Sequence, residues 1–388
     1  MLTRNFLLIL AGNVILGAAL PMLIILGVLA GGWLAPATWL ATAPPSVSMI
    51  AGIAVAAPLS LFMGRYGRRA GFLLGAGALI VGAGLGVLAL YVGSFALLCL
   101  AHAFLGSALV CVNFFRFAAA EAVAEGRQAQ AISLTLASGL VAALVGPEIF
   151  RWTKDALAPI PLAGAYAAIA GLGLAGALPV LGLTAMRVAQ TNVAVPRLPL
   201  RAVLTDQPRI AVAIGVAALS QAVMVLLMTP TPLAMIGCGF VEDQAADVIR
   251  WHVVAMFAPG FFTGALITRL GAERIAATGF VLILLSAGLA IAGLELMNFY
   301  AALILLGIGW NFGFIAGTAM LQAAAGPEDA ARLQGANDTV LAIAGSGASL
   351  LSGALYAGMG WTGLVGLSIP AALLCGAFLL SIGRRAAA

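Results

Sequence analysis

The sequence predicts an all-α integral membrane protein with twelve transmembrane helices in two six-helix pseudo-symmetric lobes. Three observations carry that prediction: a composition too apolar for water, twelve apolar segments of spanning length, and arginines that alternate from one connection to the next. Of 388 residues, 63% are hydrophobic and 8% charged, and the mean hydropathy is +1.14. An ordinary soluble domain has about 25% charged residues. The 18 basic and 13 acidic side chains cannot coat a soluble core of this size, so lipid is the expected solvent.

Cut at charged or Pro/Gly-rich breaks, the chain gives apolar runs at 5–30, 42–63, 70–91, 94–115, 129–150 and 159–186. The second six follow at 209–235, 245–268, 275–293, 297–321, 334–357 and 360–383. A crossing takes about 20 apolar residues, which leaves no room for an appended soluble domain. The first run follows a single charge, Arg4, and has no small-residue cleavage pattern, so it reads as a span and not as a removable signal.

Each connection then supports the count. Arg4, the loop with Arg65, Arg68 and Arg69, Arg116 with Arg127, Arg187, Arg197, Arg201 and Arg209, Arg269 with Arg274, Arg332, and Arg384 with Arg385 all share one side, 15 of the 18 Lys and Arg. The other side receives Arg151, Lys154 and Arg250. Positive loops stay cytoplasmic, so both termini are expected in the cytoplasm of a bacterial inner membrane. The net charge of +5 is dispersed in single residues and short clusters, which excludes a nucleic-acid surface.

The polar stretch at 187–208, with Pro196 and Pro199, divides the chain into an N-terminal lobe at 1–186 and a C-terminal lobe at 209–388 joined by a cytoplasmic linker. The halves read as a duplication. Gly64-Arg65-Tyr66-Gly67-Arg68-Arg69 parallels Thr268-Arg269-Leu270-Gly271-Ala272-Glu273-Arg274 at an offset of 204, and Arg127 parallels Arg332 at 205.

The loop with Gly64, Arg65, Gly67, Arg68 and Arg69 resembles the G-x-x-x-D-R-x-G-R-R loop of the major facilitator superfamily, with Ser60 for its first Gly and Gly64 for its Asp. The repeat keeps Gly264 and has Thr268 for the Asp. The resemblance implies the major facilitator fold, with two lobes alternating access to a midplane site.

Ligand-capable side chains inside spans are functional suspects, because polar groups in hydrocarbon are costly. The sharpest are Met224-x-x-x-Met228 on span 7 and His252-x-x-x-Met256 on span 8. A spacing of four puts each pair on one helix face. Counted from the turn at 236–244, Met228 and His252 lie about 12 Å deep and Met224 and Met256 about 18 Å deep, at 1.5 Å per residue. If those faces converge, three thioethers and one imidazole meet, a soft neutral donor set suited to Cu(I). Methionine is also an ordinary packing residue, which explains either motif alone. The first half has Leu20, Ile24, Ser48 and Gly52 at the equivalent positions.

This pair of motifs resembles the CcoA-type copper importers. The resemblance implies that Met224, Met228, His252 and Met256 handle copper as substrate, with uptake into the cytoplasm for haem-copper oxidase assembly. A copper chaperone or oxidase-assembly proteins would then be partners beside the copper ion and the lipid bilayer, with no cofactor. Cys238, in a Gly-Cys-Gly turn, is a candidate relay for Cu(I) or a small turn residue. Cys99 and His102, three apart on span 4, are a candidate second soft site. Asp338, Glu148 and Arg116 are candidate gate or coupling charges, and Asn13, Asn113, Gln221 and Asn311 candidate interhelical hydrogen-bonding groups.

The four cysteines have no CxxC spacing, and nucleophile and phosphate-loop motifs are absent, so catalysis is not expected. Two further readings stand beside copper import: a proton-coupled transporter of small organic molecules or drugs, and a non-transporting copper-binding assembly or sensing protein.

Overall fold

The computed structural model describes residues 3–124, 127–184, 208–324 and 330–387, and every regular element among them is helical. The linker expected at 187–208 lies outside the described residues except for Pro208, and so do the side chains of Arg332, Arg384 and Arg385. The chain divides into two compact units, Met1–Asn192 and Val193–Ala388.

The first unit holds α1 (Arg4–Gly17), α2 (Ala19–Leu34), α3 (Ala43–Tyr66), α4 (Arg68–Val92), α5 (Phe95–Asn113), α6 (Phe115–Glu121), α7 (Gln128–Thr153) and α8 (Ala163–Leu181). Caps fix where they begin: the Thr3 hydroxyl accepts from the Phe6 amide, and that of Ser94 from the Leu97 amide. The α1 and α2 pair makes one apolar run, Arg4–Leu34, and α5 with α6 makes Phe95–Glu121. Span 6 starts at Ala163 and not at 159, because the chain through Pro159 and Pro161 is occupied by turns.

The second unit holds α9 (Pro208–Met228), α10 (Thr231–Gly237), α11 (Glu242–Phe257), α12 (Gly260–Leu270), α13 (Ala272–Ala292), α14 (Leu296–Ala324) and α15 (Ala330–Ala387). The expected eighth span is two helices bent by 41° at the break before Gly260. Pro259 explains the bend, since it lacks an amide proton and crowds the preceding turn. Among the described residues ten helical runs are long and apolar enough to cross a membrane, eleven with that bent pair. One of them, Leu333–Leu373, has 41 residues, about 60 Å at 1.5 Å per residue, or twice a hydrocarbon core. It is broken at Gly360 (φ +69°), so it supplies two spans and brings the total to twelve.

The duplication is visible in the element boundaries. Arg4 and Pro208, Thr38 and Glu242, and Arg68 and Ala272 open corresponding runs, each pair 204 residues apart. Gly67 (φ +87°) and Gly271 (φ +89°) join the second and third spans of their units in the same left-handed-side backbone conformation, which favours glycine. In the second unit α14 is the shared neighbour: α9, α11 and α13 all pack on it, while α9 and α13 also meet α15.

Candidate functional site

The polar groups inside the second unit gather along the seam between α11 and α14. Glu242 and Asp243 in the first turn of α11 suit the positive end of the helix, and the Gln244 side chain accepts from the Val241 amide. The α14 sequence then places Tyr300, Leu303, Gly307 and Asn311 at successive helical turns, and each meets α11. The Tyr300 hydroxyl donates to Asp247, which is also ion-paired with Arg250. One turn on, His252 Nδ1 lies 2.6 Å from the Leu303 carbonyl oxygen. At Gly307 a Cβ would stand 2.8 Å from the His252 carbonyl oxygen and 3.0 Å from the Met256 amide, so the absence of a side chain lets the helices close. The Asn311 amide nitrogen donates to the Met256 carbonyl (2.7 Å), and its oxygen accepts from the Thr263 hydroxyl (2.7 Å), clamping both arms of the bent span to α14.

The bond to Leu303 settles the chemistry of His252. A carbonyl oxygen only accepts, so Nδ1 carries the proton and neutral imidazole keeps its lone pair on Nε2. His252 is fully buried, and Nε2 has no hydrogen-bond partner. An unsatisfied buried acceptor costs about 1–3 kcal/mol, so such a group calls for a functional reason.

Met224, Met228 and Met256 are buried in the same unit. Both helices that carry the two strips pack on α14, and α9 packs on α15 as well. Helical spacing fixed the face of each strip but not the neighbour it meets. Among the described residues no cluster of three His, Cys, Asp or Glu side chains is arranged to hold a metal ion. Cys238 is exposed in the turn after α10, and partial desolvation pushes its thiol up from the ordinary value.

On the α9 side of α14, the Trp310 indole donates to Gln221 Oε1 at 2.8 Å. Trp310 stacks on Phe314 (centroids 5.0 Å, 22° between planes) and meets Phe257 edge-on at 6.2 Å. Gln221 thus makes the interhelical hydrogen bond expected of it, whereas its aromatic partners were missed in the sequence, where Trp310 and Phe314 read as ordinary apolar residues of a span.

In the first unit His102 is fully buried and both ring nitrogens are engaged, Nε2 with the Tyr166 hydroxyl (2.8 Å) and Nδ1 with Ser48 Oγ (3.0 Å). No ring lone pair is left for a metal shared with Cys99. Ser48 and His252 stand 204 residues apart, as do Cys99 and Leu303, so the chain's two histidines occupy the same seam of their repeats from opposite helices.

The loop residues have separate fates. Arg68 makes a bidentate pair with Glu121 (Nη2 to Oε1 2.7 Å, Nε to Oε2 3.1 Å) and lies over the Phe114 ring at 5.8 Å. Arg65 lies over the Tyr66 ring, Arg69 is exposed, and Gly64 stands in the last turn of α3. Exposed Arg116 lies over Phe117. Glu148 pairs with Arg151 at 3.3 Å, and exposed Asp338 accepts from Gln334 at 2.8 Å. Asn13 hydrogen-bonds Ser138 and the Thr135 carbonyl, across α1 and α7.

No protein-family model matches the chain. Its fold is that of the nucleoside transporter NupG (TM-score 0.70, 15% identity, 97% of this chain and 98% of that one) and of a D-xylose-proton symporter (TM-score 0.73, 13% identity, 96% of each). By sequence it is 40% identical over 374 residues to the riboflavin transporter RfnT of Brucella anthropi, covering 95% of this chain and 92% of that one. It is also 32% identical over 341 residues to YddS of Bacillus subtilis, an uncharacterized MFS-type transporter, covering 82% and 77%. The chain belongs to the major facilitator superfamily. In this member of the superfamily the loop after the second span lacks its Asp, and the ion pair it does make runs from Arg68 to Glu121, 53 residues away at the end of α6. Glu121 carried no signal in the sequence beyond being an acid at the end of an apolar run.

Proposed function

We propose that this protein is a secondary carrier of a small organic molecule, and that its solute is a planar heteroaromatic compound of the riboflavin type. The observation that carries the reading is the 40% identity to a protein named a riboflavin transporter, held over 95% of the chain. The chemistry of Trp310, Phe314, Phe257 and Gln221 is compatible with it: aromatic faces and an amide suit a flat, hydrogen-bonding ring system. Membership of the superfamily supplies the transport mode, alternating access without a catalytic step. The positive-loop bias supports an inner-membrane location with both termini in the cytoplasm.

The test is complementation. A bacterial strain unable to make riboflavin and lacking its own carrier should grow on low external riboflavin when it expresses this chain, and should take up labelled riboflavin faster than vector controls. Growth and uptake no better than the control would refute riboflavin as solute.

Copper import stands second, on the unpartnered Nε2 of His252 and the buried thioethers of Met224, Met228 and Met256. Equal cellular copper in wild type, Met224→Ala and His252→Ala at matched expression would remove it.

A further inference from the structure

The Gln221 amide is fixed in one sense. An indole N–H only donates, so the atom 2.8 Å from it is the amide oxygen, and the amide nitrogen points the other way. Among the described residues that nitrogen has no hydrogen-bond partner, and Gln221 is partly exposed. In a span an N–H2 group turned to hydrocarbon is costly, whereas one turned to water or to a solute is satisfied. The helix contact behind this is local: Ser220 of α9 lies against Gly313 of α14, where a Cβ would collide with its hydroxyl, and the close approach sets Gln221 beside Trp310. Trp310 is held in turn by Phe314, stacked on it, and by Phe257, edge-on.

We propose that Gln221 is a specificity-determining residue that reads the ring edge of the solute, donating from Nε2 to an acceptor nitrogen or carbonyl oxygen of the heteroaromatic ring, while Trp310 positions it by occupying the amide oxygen. The proposal rests on the planar-heteroaromatic reading above and adds the polarity the ring must present. An unconstrained glutamine offers a donor and an acceptor and can turn over to suit either. With its oxygen taken by the indole, this one offers N–H groups only. A ring edge that carries acceptors, such as the O=C–C=N pattern of an isoalloxazine, is matched. A ring that turns an N–H or a C–H to the same place leaves the amide hydrogens unpaired, which is how a polar site rejects a close analogue. Trp310 therefore supplies both a face for stacking and an N–H that sets the polarity of its neighbour.

The experiment uses purified full-length protein in detergent, titrated with riboflavin and with lumiflavin, which has the same ring and a methyl group in place of the ribityl chain; flavin fluorescence reports binding. Gln221→Met keeps the length of the side chain and removes both N–H groups. It should weaken the two ligands alike, by about five- to tenfold. Unchanged binding of both overturns the proposal, and so does a loss confined to riboflavin, which would put the amide on the ribityl hydroxyls. These outcomes leave the solute reading standing, whereas wild type that binds neither compound removes that reading and the proposal together.

A double-mutant cycle tests the positioning. Trp310→Phe keeps an aromatic face and removes the N–H. It should weaken binding a few-fold in the wild-type background and by less when Gln221→Met is already present, because the amide it positioned is gone. Equal losses in the two backgrounds overturn the role given to Trp310. Gln221→Asn, one methylene shorter and unable to span from the indole to the ring, is the second variant should Gln221→Met fail to fold. It should show the same equal loss for riboflavin and lumiflavin, and full binding by it overturns the proposal.

Discussion

His252 Nδ1 donates to the Leu303 carbonyl at 2.6 Å, one turn along the seam from the Tyr300 hydroxyl that donates to Asp247. The bond orients the ring and consumes its proton, so the second nitrogen keeps its lone pair. His252→Leu should lower the stability of the protein in detergent by about 1–2 kcal/mol, because the Leu303 oxygen loses its donor. His252→Asn should lose less than half of that. Thermal unfolding followed by fluorescence-detected size exclusion separates the two, and equal losses would mean that the hydrogen bond contributes nothing.

Asn311 holds the bent span at both of its arms. Asn311→Ala removes the donor to Met256 and the acceptor for Thr263, with interhelical bonds in membranes contributing about 0.6–1.7 kcal/mol each. The expected loss is about 1–3 kcal/mol together with slower transport, whereas Thr263→Val should lose only one of the two contacts. Melting temperatures and initial uptake rates of both variants check this.

The Arg68–Glu121 pair is bidentate, and its side chains are 9% and 19% exposed. A double-mutant cycle with Arg68→Ala and Glu121→Ala should return a coupling of about 1–3 kcal/mol. The exchange Arg68→Glu with Glu121→Arg should recover part of it. Additive single effects would reduce the pair to a crystal-like coincidence of two long side chains.

Trp310 is the residue on which solute stacking would depend. A flavin ring on its face should have its own fluorescence quenched on binding. Trp310→Ala should weaken binding about tenfold, an aromatic contact being worth on the order of 1 kcal/mol, and Trp310→Phe only a few-fold. Quenching unaltered in Trp310→Ala would place the solute elsewhere.

The spans and the duplication were legible because hydropathy and a constant offset survive without any knowledge of contacts. The seam was less legible. A spacing of four puts Met224 with Met228, and His252 with Met256, on one face, but α14 decides what those faces touch, and its contribution is largely backbone: the Leu303 carbonyl and the missing side chain of Gly307. Trp310 and Gln221 belong to spans 89 residues apart, so no local period joins them. The solute was the least legible of all, since thioether and imidazole spacing pointed to a soft metal, whereas a relative matched over nearly the whole chain is named for riboflavin.

The bend at Pro259 has a consequence for local breathing. Since one amide side chain grips the carbonyl before the break and a hydroxyl after it, the two arms cannot fray independently. Deuterium uptake at the amides of Phe261, Phe262 and Thr263 should therefore rise and fall together with that of the last turn of α11, as a single cooperative opening.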